Sequence, residues 1–343
     1  MKHEEGPESR ADIRDLSRKL EGKALERGEV GYESARIGAV WNGRKPARYP
    51  EVVVRAASVS DVVAAVTFAR ERDMKVGIRS GGHSWSASFL RENGMLLDVS
   101  GLDHCEISPQ DGRVVVGPGL WGSRLNAELA AYDLFFPGGH CESVVLGGYL
   151  LQGGFGLGSR QLGPACASVT GIDVVTAAGE RLHLDSSENS DLFWAVRGSG
   201  AGFFAVVTSF ELAARPRPSV LLFARHEYAI ADLDGLLLWS AKLARSMPPR
   251  AEFTLSIIGP AHEGGEPSVA ISAFTLAFSE AEAMADLEFM SSCPPRARAL
   301  SLAENQKSNV SAAPACTTPP PASSTGRLAD ASAVHRRSGR HQR

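Results

Sequence analysis

Between Pro46 and Leu212 short apolar runs alternate with amphipathic stretches and glycine-rich turns. The runs VVVRAA, KVGIRS, MLLDVS, RVVVGPG, TGIDVVTA and FFAVVTSFEL have the length and branched-residue content of strands. Between the first two, Ser60 to Arg72 reads as a helix. Ser60 is placed to cap it, and Val62, Val63, Val66, Phe68 and Ala69 recur at near-helical spacing. Asp73 and Met74 then lead into KVGIRS. This β-α-β unit delivers its second strand into the loop at 79–85.

The flanking regions have other patterns. Residues 1–30 are polar with helical periodicity, and 1–45 read as a surface helix and lead-in. Residues 219–305 lack glycine-rich loops and alternate strand, helix, strand, strand, helix, strand, which predicts a sheet with helices on one face. Pro216 and Pro218 mark the boundary. From 306 to 343 there is no aromatic residue, and Ser, Pro and Ala cluster, so the apolar surface is too small to offset the entropy of ordering. Two readings of this stretch stand: a flexible tail, or sequence that follows a lost reading frame.

Composition narrows the function classes. The 43% hydrophobic and 22% charged content of the 343 residues is that of an ordinary globular protein. A net charge of -3 gives no concentrated basic face for nucleic acid or an anionic membrane. No apolar run reaches the roughly 18 residues needed to span a bilayer. The acidic N-terminus lacks the pattern of a signal peptide, so a cytoplasmic location is expected. Cys105, Cys141, Cys166, Cys293 and Cys316 are dispersed, unlike a disulfide framework or a zinc ribbon.

Candidate chemistry sits in two glycine-rich stretches. In RSGGHSW (Arg79, Ser80, Gly81, Gly82, His83, Ser84, Trp85) a strand runs into two glycines. These can turn the backbone so that its N–H groups form an anion-binding nest, with His83 beside whatever they hold. The alternative is a turn with a hydrogen-bonded histidine. The second stretch, GGHCESVVLGGYLLQGGFGLGSRQLG, spans 138–163 and holds glycine pairs at 138–139, 147–148 and 153–154. Such density favours close backbone approach to a ligand over a plain series of tight turns. GPGLWG at 117–122 fits a dinucleotide fingerprint. No Asp or Glu closes a second strand about 20 residues on, so it is weak as an NAD site. The neighbours His104-Cys105 and His140-Cys141 point to opposite sides of an extended chain, which argues against a metal chelate.

Together RSGGHSW, GGHCESVVLGGYLLQGGFGLGSR and DLFWAVRGSGAGFFAVVTSFEL (191–212) resemble the FAD-linked oxidases related to berberine bridge enzyme, of the vanillyl-alcohol-oxidase type. The resemblance spans about residues 45–305. It implies an α+β fold: a two-subdomain FAD-binding domain at 46–215, then a partial antiparallel-sheet-plus-helices substrate domain at 216–305. It also implies FAD bonded to His83, with Cys141 as a candidate second attachment or, alternatively, a buried thiol. The resemblance further assigns flavin contacts to Arg79 through Trp85, Pro118, Gly119, Val144, Gly147, Gly148, Gly153, Gly154, Gly156 and Val174. Val145 departs from the family, which has glycine there; a branched side chain at this position is expected to push the loop away from the ring.

The implied reaction is hydride transfer from an alcohol, sugar or amine to the flavin, with O₂ as acceptor. The family's base comes from sequence beyond Asn305, so no catalytic residue is named. Because the resembled fold stops there, the lost-frame reading of the tail is preferred. An active oxidase, a flavin-binding remnant lacking its base, and a truncated product that does not fold stably are the three outcomes to separate.

Overall fold

The computed structural model describes residues 7–260, 262–294 and 299–306. The N-terminal helix α1 (Pro7–Lys19) precedes a strand, β1 (Lys23–Glu26), and helix α2 (Tyr32–Gly38). Next come β2 (Val52–Arg55), α3 (Val59–Glu71), β3 (Val76–Arg79) and β4 (Met95–Asp98). The sheet order is β1-β2-β4-β3, with β4 parallel to both β2 and β3. The near-continuous apolar runs of β2 and β4 follow from burial on both faces. Val52, Val54, Met95 and Leu97 pack beneath α1 and α3, while Val53 and Leu96 face Tyr32, Phe89 and Leu90.

The cap of α3 corrects one sequence expectation. Ser58, with extended backbone, accepts from the Asp61 amide at 3.3 Å, and Ser60 lies inside the first turn. A cap needs non-helical φ and ψ, which Ser60 does not have. Asp61 is fully buried, and its carboxylate accepts from the amides of Glu21, Gly22 and Ala57. It thereby ties the lead-in chain to the helix start.

The second sheet is antiparallel. It contains β5 (Cys105–Ser108) and β6 (Arg113–Val116), followed in the chain by α4 (Gly122–Leu129) and the short β7 (Leu134–Phe135). Two small helices, α5 (Leu146–Leu151) and α6 (Ser159–Leu162), lead to β8 (Val169–Val175), β9 (Arg181–Leu184), α7 (Ser190–Val196) and β10 (Val206–Ala213). The order is β5-β6-β10-β8-β9. Its inward face packs Val116, Ile172, Val174, Val207 and Phe210 against Leu125, Leu129, Leu146 and Leu150.

After β11 (Arg215–Pro216), which pairs with β7, comes a third sheet. It is built from β12 (Val220–Ala229), helix α8 (Leu233–Leu243), β13 (Ala251–Ile258), β14 (Ser268–Ala277), helix α9 (Glu280–Leu287) and β15 (Ala299–Gln306). The order β13-β14-β12-β15 is antiparallel throughout. Strand alternation separates its two faces. Leu222, Ala224, Ile271 and Ala273 lie beneath both helices, while Leu221, Phe274 and Leu276 pack on Phe135 and Leu157. The sequence pattern at 219–305 thus yields its six elements, with both helices on one side. The tail expectation for 307–343, Cys316 included, lies outside the described residues.

Candidate functional site

Strand β3 carries the chain to Arg79, whose guanidinium is spent on the neighbouring strand. Its Nη1 donates to both Asp98 carboxylate oxygens at 2.9 and 3.1 Å, and its Nε donates to the Ala39 carbonyl at 3.3 Å. The pair is largely buried, so Arg79 braces the loop base. At Gly82 the backbone turns with φ +73°, and a methyl group there would strike the Ala39 carbonyl oxygen at 2.0 Å. Only glycine fits. Among the described residues, the amides of Gly81, Gly82, His83 and Ser84 donate to no protein acceptor. Such a run of unspent N–H groups is what an anion-binding nest requires.

His83 is half-buried beside this nest. Its Nε2 lies 3.1 Å from both the carbonyl oxygen and the hydroxyl of Ser143. A carbonyl only accepts, so Nε2 carries the hydrogen and Nδ1 keeps its lone pair. The Trp41 indole stacks on the imidazole with centroids 5.0 Å apart and planes 22° apart, and the Trp41 amide donates to the Gly82 carbonyl. Burial lowers the His83 pKa below the ordinary histidine value; the Ser143 carbonyl opposes that shift, and positive Arg79 adds to it. Ser84 and Trp85 are exposed, Trp85 at 78% and edge-on to Trp41.

The second glycine-rich stretch closes onto the first. Ser80 Oγ accepts from the Gly148 amide at 3.2 Å, and the Gly147 amide donates to the Pro118 carbonyl at 2.9 Å. A methyl group at Gly147 would lie 2.7 Å from Ser80 Oγ and 2.9 Å from Pro118, whereas one at exposed Gly148 meets only Ser80 Oγ, at 4.0 Å. The dinucleotide-like GPGLWG supplies a strand-turn-helix here, and Gly119 passes close to the Ser100 backbone. The Val144 carbonyl accepts from the Gly122 amide, and Cys141 is half-buried two residues before Ser143.

Val145 is buried, and its Cγ2 would lie 2.6 Å from a methyl group at Gly81. The branched side chain therefore fills the space left by glycine in the facing loop. Gly153, Gly154 and Gly156 lie buried further along the stretch. The carbonyls of the first two accept from Cys166 and Ala165, and Gly156 abuts the Gly138 carbonyl. Val174 is apart from these loops: its side chain lies in the core beneath them, and its strand pairs on both sides, with Val207 and Leu182.

Sequence reasoning did not single out Trp41, Ser143 or Glu252. Trp41 and Ser143 reach His83 across 42 and 60 residues, separations that carry no local signal. Glu252 is only 8% exposed on β13, and its Oε2 meets His140 Nε2 at 2.9 Å. The other His-Cys pair points elsewhere: His104 faces Ser209, and burial beside Glu128 pushes the Cys105 thiol up to about 12.

Residues 50–185 match the family described as FAD binding domain. Over and beyond this region the chain is similar to proteins named FAD-linked oxidoreductases. FAD-linked oxidoreductase nodO of Hypoxylon pulicicidum is 40% identical over 224 residues, covering 65% of this chain and 50% of that protein. The chain is similar in fold to Physcomitrella patens BBE-like 1, with TM-score 0.77 at 21% identity, over 86% of this chain and 62% of that one. For 6-hydroxy-D-nicotine oxidase from Arthrobacter nicotinovorans the TM-score is 0.75 at 26% identity, over 84% and 62%. The chain spans about half the length of the curated relatives it matches. No helix among the described residues is long and apolar enough to cross a membrane.

Proposed function

We propose that this chain holds FAD between the loops at 79–85 and 141–148, with the ring bonded to His83, and serves oxidation of a small alcohol, sugar or amine. The observation that carries this reading is His83 itself. A neutral imidazole, with Nε2 held by Ser143 and Nδ1 bare, sits at the end of a nest of unspent amides. The residues fit the group. The nest suits a pyrophosphate, the open space at Gly148 admits a ligand against backbone, and a neutral imidazole nitrogen can form a carbon–nitrogen bond.

When bound, FAD supplies the hydride acceptor and a route for electrons to O₂. The protein's part is position and exclusion of water. His83 would hold the ring through Nδ1, giving up its ring proton, and the flavin with O₂ would supply the oxidation that the bond requires. Nε2 then has no hydrogen, and the Ser143 hydroxyl, already at 3.1 Å, can donate to it. Cys141, on the segment that ends at Ser143, is the proposed second attachment. Arg79 is assigned a bracing role through Asp98, and Val174 a place in the core under the loops.

The name of the similar 6-hydroxy-D-nicotine oxidase gives a small cyclic amine as its substrate, which supports a small-molecule substrate here without selecting one. The alternative reading is a flavin-binding remnant of reduced activity. The test is hydrogen peroxide release by the purified, flavin-loaded chain on a panel of sugars, alcohols and cyclic amines. Release above the flavin-free control supports an oxidase, and yellow protein without release supports the remnant. Colourless soluble protein after incubation with FAD contradicts both.

A further inference from the structure

The segment 140–143 is fastened from the third sheet. Glu252, near the start of β13 in the third sheet, is nearly buried, and both its oxygens are engaged. Oε1 accepts from the Gly158 amide at 2.5 Å, and Oε2 from His140 Nε2 at 2.9 Å. These partners lie at the two ends of one excursion of the chain. Its base is closed by the Leu157 amide donating to the Gly138 carbonyl, and by Gly156 lying against that same carbonyl. Phe274, the cross-strand neighbour of Glu252, meets the His140 ring edge-on at 5.9 Å.

We infer that Glu252 is a positioning residue: through His140 and Gly158 the third sheet fixes the 140–143 segment, and with it the Cys141 thiol and the Ser143 carbonyl that holds His83. A carboxylate buried at this cost is kept where it is fully hydrogen-bonded, and here its two bonds define one loop geometry. His140 is half-exposed, so its own burial contributes little; its hydrogen bond to a buried acceptor restrains the backbone. The importance of this clamp for catalysis rests on the flavin reading above, but its existence does not.

The test uses the full chain before FAD is added. Alkylation of Cys141 by iodoacetamide is followed by peptide mass, with Cys166 as internal control. His140→Ala and Glu252→Ala should each speed Cys141 alkylation about tenfold, the size of a lost charge-assisted hydrogen bond. The double variant should be no faster than either single one, because the two residues act as one unit. Glu252→Gln should stay near the wild-type rate. Its amide oxygen still accepts from Gly158, and its N–H can donate to His140 once the imidazole proton moves to Nδ1.

If Glu252→Ala does not fold, His140→Ala and Glu252→Gln decide the matter between them. Unchanged Cys141 rates, additive effects, or a parallel rise at Cys166 overturn the clamp. After FAD loading, His140→Ala should lower flavin on the Cys141 peptide relative to the His83 peptide. Wild-type protein that takes up no FAD would overturn the flavin reading while the alkylation result still decides the clamp.

Discussion

The imidazole Nε2 of His83 lies 3.1 Å from the carbonyl oxygen of Ser143 and the same distance from its hydroxyl, so one residue offers that nitrogen both an acceptor and a donor. Ser143→Ala keeps the carbonyl and removes the hydroxyl. The account expects slower covalent flavin incorporation, by up to about tenfold for one hydrogen bond, with little change in melting temperature. Timed acid precipitation of FAD-incubated protein, with protein-bound absorbance read at each time, checks this.

The adjacent glycines at 147 and 148 should respond differently to a methyl group. Gly147→Ala forces contacts below 3 Å with Ser80 and Pro118, and a cost of about 1–3 kcal/mol in stability is expected. Gly148→Ala meets only Ser80 Oγ, at 4.0 Å, so stability should be unchanged while FAD uptake falls. Thermal melts paired with flavin titration separate the two outcomes.

Arg79 and Asp98 join the ends of two parallel strands in a place with little water. Removing one partner leaves a buried charge, so Arg79→Ala or Asp98→Ala should cost about 3 kcal/mol. Urea denaturation of each variant measures it. If Arg79 instead served mainly the ligand, the apo protein would lose little.

The lowered pKa of His83 fixes the sign of one pH effect. Burial favours the neutral ring, so the folded state binds its proton later than the unfolded state does. The neutral-ring advantage is complete above histidine's ordinary 6.5 and is lost as pH falls through the lower folded value. Wild type should therefore lose stability between neutral and mildly acid pH by more than His83→Gln does. The raised pKa of His183 beside Asp173 acts in the opposite direction but is common to both proteins. Denaturation curves at pH 7 and at lower pH give the comparison.

Much of this arrangement was legible in the sequence because its signals are local. The apolar runs of β2, β4, β6, β8 and β10 and the glycines at 81–82 and 147–148 declare themselves within a few residues. The short β1 and α2 did not, since KALE and YESARIG are too brief to sustain a period. Ser60 has the look of a helix cap because it stands two residues before the Val62-Val63 run, yet Ser58 has the extended backbone a cap needs. The contacts of His83 with Trp41 and Ser143, and of His140 with Glu252, join residues far apart in the chain. Only the folded arrangement brings them together. The packing of Val145 onto Gly81 of the facing loop is another such long-range contact.

The central claim is that His83 carries the flavin. The direct measurement is peptide mass mapping of the purified chain after incubation with FAD and acid precipitation, with His83→Ala alongside. The account predicts a FAD-sized mass increase on the peptide containing His83, and its loss from that position in the variant. Yellow colour released wholly into the acid supernatant, with the His83 peptide at its unmodified mass, would contradict it.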